Sequence, residues 1–76
     1  MSSAPPIVLT VAGSDPSGGA GLQADLKTIH QHGGYGAAVP TLITVQSTLG
    51  VESVELLSPE LLRAQLSNLL ADLRPQ

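Results

Sequence analysis

The stretch Gly13-Ser14-Asp15-Pro16-Ser17-Gly18-Gly19-Ala20-Gly21 decides how this chain folds. On its amino side, Ile7-Val8-Leu9-Thr10-Val11-Ala12 is a short apolar run rich in β-branched residues, the composition of a buried strand. On its carboxyl side, Leu22 to His32 carries helical spacing. The stretch is therefore a strand-to-helix turn dense in glycine. Glycine admits positive φ and close backbone approach, so such a turn can wrap its N–H groups around a ligand. The helix that follows points its positive end back at the same place. A plain connector needs fewer glycines, and this density favours a binding loop.

Working outward, Met1 to Pro6 reads as a loose lead-in, and the strand over Ile7 to Ala12 as buried on both faces, as in a parallel sheet. The helix runs from about Gly19 to His32 and is stopped by Gly33-Gly34. Leu22, Leu26 and Ile29 define its buried stripe, with Gln23, Lys27 and Gln31 on the far side. Asp25 lies on the flank of that stripe and must find a partner, because an unpaired buried charge is expensive. It reaches water or a nearby backbone N–H, or it receives a donor from a ligand at the glycine loop. Its position alone does not choose between these.

A second apolar run spans Tyr35 to Gln46, with Pro40 inside it, which suggests an edge position, a strand start or a bulge. If the two strands are parallel neighbours, Gln46 and the Gly13 loop share the carboxyl edge of the sheet, where open α/β folds bind ligands. A glutamine there offers both a donor and an acceptor, suited to a heterocycle with amino and ring-nitrogen groups, although a strand-end glutamine is more often solvated. Gly50 breaks the run, and Val51 to Leu57 reads as a short half-exposed strand or extended segment. Ser58-Pro59-Glu60 starts a second helix, with serine as N-cap and proline at N1. Its apolar face, Leu62, Leu66, Leu69, Leu70 and Leu73, serves as structural cover. His30 and His32 share no helix face and are read as surface residues, so no metal ligand is assigned.

The order β-α-β, a short extended piece, then α stops where an alternating fold adds its next strand. Its sheet edges and apolar faces are left to be covered, so residues 1–76 are expected to be the opening portion of one longer α/β domain. At 76 residues, with one Tyr and no Phe or Trp, the core is small; such a chain buries only about 60% of its unfolded surface. The net charge of −3 argues against a nucleic-acid or anionic-membrane partner. There is no cysteine, and no apolar run of the roughly 18 residues that a membrane span needs. With no signal segment visible, a cytoplasmic location is expected.

Gly13 and Gly18 have the spacing of a Walker A loop, but Gly19 and Ala20 stand where lysine and a hydroxyl residue are required. Gly19-Ala20-Gly21-Leu22-Gln23-Ala24 fits a dinucleotide fingerprint, yet the loop is long and no acid follows the second strand closely. Val8 to Thr28, read as VLTVAGSDPSGGAGLQADLKT, closely resembles the opening signature of the hydroxymethylpyrimidine/phosphomethylpyrimidine kinase family of thiamine biosynthesis. The resemblance continues through Gly34-Tyr35-Gly36, Val45 to Val51 and Pro59 to Leu70.

What the resemblance implies is a ribokinase-like three-layer sandwich, of which this chain is the N-terminal β-α-β-(β)-α part with an incomplete sheet. The family phosphorylates 4-amino-5-hydroxymethyl-2-methylpyrimidine and its monophosphate with ATP and Mg²⁺. Asp25 and Gln46 match positions that hydrogen-bond the pyrimidine, Gly13 and Ala20 match positions packed against the ring, and Thr44 is a weaker candidate. Ser47 departs from the family's usual asparagine, and Pro40 and Thr44 replace residues more often apolar or β-branched. The family's anion hole, catalytic base and ATP-binding elements match nothing here, so no catalytic, ATP or Mg²⁺ residue is assigned. The chain is expected to supply part of a pyrimidine pocket and to be inactive alone, its partner being a missing C-terminal part or a second copy. A stand-alone pyrimidine-binding module and a pyridoxal-type vitamin kinase are the alternatives.

Overall fold

The computed structural model describes residues 4–74; Met1 to Ser3 of the lead-in, and Pro75 and Gln76 at the end, lie outside them. The elements run β1 (Ile7–Ser14), α1 (Gly21–Gln31), β2 (Tyr35–Ser47), β3 (Gly50–Leu56) and α2 (Pro59–Leu73). They form a three-stranded sheet in the order β1-β2-β3. β1 pairs with β2 in parallel, beginning at Ile7 opposite Tyr35, which brings the glycine loop and the end of β2 to one edge. β3 folds back antiparallel on β2, Leu42 to Ser47 facing Leu56 to Gly50.

The first strand extends two residues beyond the apolar run, to Ser14, because the parallel ladder continues through a register shift. Across that shift β2 advances three positions, from Pro40 to Ile43, where β1 advances two, from Ala12 to Ser14. Pro40 thus sits in the central strand at a bulge, the one setting within a central strand that tolerates a missing N–H.

Helix α1, Gly21–Gln31, is shorter than the expected run from about Gly19 to His32, since Gly19 and Ala20 belong to the loop and His32 ends the helix. Its stop follows the expectation: Gly33 takes φ +81°, and the Gly34 N–H returns to the Ile29 carbonyl at 2.9 Å. Leu26 and Ile29 pack so closely on Gly36 that a Cβ there would meet Leu26 Cδ2 at 2.7 Å. α1 therefore covers the sheet face of Val8 and Gly36. Leu73 of α2 borders a concavity with Ile7 and Tyr35, whose side chains alternate to the opposite face. Two helices on two faces give three layers, but thin ones. Ala37 and Val39 are the only buried apolar residues among those described, and every residue of β3 is exposed.

The Ser58 hydroxyl caps α2 by accepting from the Leu61 N–H at 3.1 Å, with Pro59 at N1. Leu62, Leu66, Leu69 and Leu73 are half-buried, while Leu70 is turned outward. No helix among the described residues is long and apolar enough to cross a membrane.

Candidate functional site

The glycine loop does wrap its N–H groups around an anion, but the anion is its own. Asp15, 4% exposed, accepts through Oδ1 from the Ser17 N–H at 2.9 Å and the Ser17 hydroxyl at 2.7 Å. Its Oδ2 accepts from the Gly19 N–H at 3.1 Å and the Ala20 N–H at 2.9 Å. The Ser17 hydroxyl, followed by these backbone donors, holds the Asp15 carboxyl below its ordinary range, against the opposing effect of burial. The residue just before α1, Ala20, has no side-chain acceptor and α1 has no side-chain cap; Asp15 serves the N–H groups of Gly19 and Ala20 ahead of the first turn instead. Sequence reasoning passed over Asp15. The available signal was an Asp followed two residues later by Ser in a turn, the pattern of a side chain closing on its own backbone.

Close approach fixes the loop's other end. Gly21 opens α1 at φ +64°, and a Cβ there would collide with the Gly13 carbonyl oxygen. Gln23 is half-buried and turned to the loop, a correction to its far-side assignment. Its Oε1 accepts from the Asp15 N–H at 2.8 Å, and its Nε2 donates to the Ser14 hydroxyl at 2.7 Å. A side chain at the start of a helix can reach back over the preceding turn, which a helical-wheel angle does not register. Lys27 likewise donates to the Gly18 carbonyl at 3.1 Å.

Asp25 is exposed on the flank of the apolar stripe. Its Oδ2 accepts from the Thr10 hydroxyl of β1 at 2.6 Å, a side-chain partner instead of the backbone N–H considered above. Gln46, half-buried, lies with Thr44 beside the loop: the Thr44 hydroxyl is 2.8 Å from the Ser14 carbonyl oxygen and 2.9 Å from Gln46 Oε1. Gly13 is half-buried against Leu42, whose Cδ1 would meet a Cβ there at 2.8 Å, and Ala20 is exposed. Thr44, Gln46 and the loop thus form one hydrogen-bonded group, while Asp25 is held through Thr10.

The residues present do not fit ATP or Mg²⁺. The loop's N–H groups point at Asp15, Lys27 is engaged with Gly18, and Arg63 stands on the exposed side of α2. No group of three His, Asp or Glu residues is placed to hold a metal among the described residues. The exposed His32 ring is 2.9 Å from the Thr28 carbonyl. A concavity of about 410 Å³ lies at the far end of the sheet between Pro6, Val8 and Ile29 and is mostly apolar, an uncovered face more than a site.

The incomplete α/β sheet, a parallel β-α-β unit with a glycine-rich loop at its carboxyl edge, is of the ribokinase-like kinase class, and solved structures of that class superpose on it. Phosphomethylpyrimidine kinase from Clostridium difficile 630 matches with a TM-score of 0.88 at 48% identity, over 92% of this chain and 30% of that one. A pyridoxal kinase from Staphylococcus aureus matches with a TM-score of 0.80 at 39% identity, over 91% of this chain and 26% of that one. Residues 15–76 match the phosphomethylpyrimidine kinase family, and the chain belongs to it. Hydroxymethylpyrimidine/phosphomethylpyrimidine kinase of Salmonella typhimurium is 52% identical over 66 residues, 87% of this chain and 25% of that protein. The chain spans about a quarter of the length of such relatives.

Proposed function

We propose that residues 1–76 form the N-terminal part of a single kinase domain that phosphorylates 4-amino-5-hydroxymethyl-2-methylpyrimidine and its monophosphate, acting in the cytoplasm in thiamine biosynthesis. The chain supplies one wall of the pyrimidine pocket and does not turn over alone. Carrying this reading is the placement of Gln46, hydrogen-bonded through Thr44 to the glycine loop at the sheet edge, in a chain of this family. Asp25 supports it: with Thr10 on Oδ2, Oδ1 is left to accept from a ligand N–H or O–H. Gly13 and Ala20 form the floor under the ring. ATP and Mg²⁺ belong to the part of the kinase that this chain does not supply.

The test is a chimera in which residues 1–76 replace the matching quarter of the Salmonella typhimurium kinase. Pyrimidine phosphorylation is expected, with Asp25→Ala lowering kcat/KM by about tenfold to a hundredfold, as loss of a charge-assisted hydrogen bond does. A chimera that folds, binds ATP and ignores the pyrimidine overturns the reading. The likeness to the Staphylococcus aureus pyridoxal kinase favours a second reading, a pyridoxal kinase, which a lower KM for pyridoxal in the same chimera would establish.

A further inference from the structure

The Thr44 hydroxyl has one proton and two acceptors within reach, the Ser14 carbonyl at 2.8 Å and the Gln46 amide oxygen at 2.9 Å. Both cannot receive it. The Ser14 carbonyl lies at the register shift between β1 and β2, where the strand ladder is interrupted and a side-chain donor is needed. Turning the Gln46 amide over satisfies all three groups. Thr44 then donates to Ser14, and Gln46 Nε2 donates to the Thr44 oxygen. The two ends of an amide have the same shape, so only hydrogen bonding decides between the orientations.

We infer that Thr44 is a specificity-determining positioning residue: held by the Ser14 carbonyl, its hydroxyl fixes the Gln46 amide with Oε1 outward. Gln46 then presents an acceptor to the ligand and selects a heterocycle carrying an amino group over one carrying a carbonyl at the same position. Gln23 braces the arrangement from the other side by donating to the Ser14 hydroxyl and accepting from the Asp15 N–H. This inference rests on the pyrimidine reading of the site.

Thr44→Val keeps the shape and removes the proton that makes the choice, whereas Thr44→Ser keeps the hydroxyl. Binding of 4-amino-5-hydroxymethyl-2-methylpyrimidine and of its 4-oxo counterpart is measured by NMR titration in the Salmonella typhimurium chimera carrying the native or the variant chain. The native chain should prefer the amino compound. Thr44→Val should lower that preference about tenfold, mainly by improving the 4-oxo compound, and Thr44→Ser should restore it. A preference unchanged in Thr44→Val overturns the positioning role and leaves the pyrimidine reading standing. A chimera with the native chain that folds, binds ATP and takes neither compound overturns both.

Discussion

Asp15 shows how one side chain can organise a loop. Two backbone N–H groups of the loop and both donors of Ser17 converge on its carboxylate, and without it those N–H groups face the approach to α1 unpaired. Asp15→Ala should lower the melting temperature and raise hydrogen exchange at Ser17, Gly19 and Ala20, measured by thermal unfolding and exchange NMR. The sign with pH follows from the depressed carboxyl. Asp15 contributes stability that is fully present above the unfolded value, 3.8, and is lost as pH falls through its lower folded value. A titration of melting temperature against pH should therefore show an acid-side loss in the native chain that Asp15→Ala lacks. Gly21 belongs to the same scale: Gly21→Ala requires a side chain at φ +64° against the Gly13 carbonyl. Its cost should be at least about 1–2 kcal/mol by chemical denaturation.

Among the elements, α2 carries its own instructions. Ser58, Pro59 and Glu60 make a helix start that depends on no distant contact, and the Ser58 hydroxyl does cap the Leu61 N–H. Ser58→Ala should cost about 1 kcal/mol, read as a shift in the denaturation midpoint with an unchanged slope. Helix α1 is different. It has no capping side chain of its own, and it is held by Leu26 and Ile29 against Gly36 and by Asp15 in front of it. β2 is the element on which the others assemble, with β1 on one side and β3 on the other. Pro40 is accommodated within it because the bulge falls there.

For the whole molecule, the sheet is wider than its cover. Ile43, Val45, Val51, Val54 and Leu56 are all about half exposed or more, along β2 and the edge strand β3. Apolar surface of this kind on an unprotected edge invites association. Sedimentation of the chain alone should show concentration-dependent self-association, and in the chimera those residues should be covered and the unfolding transition sharper. A chain that stays monomeric at millimolar concentration with a sharp transition of its own would instead support a stand-alone binding module.

The amino-acid sequence by itself determined the order of elements, the helix stop at Gly33-Gly34, the Ser58 cap and the turn-rich loop, because each is a local preference of a few neighbouring residues. The signature from Val8 to Thr28 also carried the family, and 62 residues, 15–76, match it. Tertiary structure alone decided which groups the N–H donors of Gly19 and Ala20 serve. The Asp15-Pro16-Ser17 turn signals the bonds to Ser17, but that the Gly19 and Ala20 N–H groups also close on Asp15 instead of waiting for a ligand depends on how the loop folds back. The same holds for Gln23, which reaches the loop from a helix, and for Thr44, whose hydroxyl meets Ser14 thirty positions away. The Thr44 contact exists only once β1 and β2 lie in parallel with a shifted register, and that register is set by packing across the sheet and not by either strand alone.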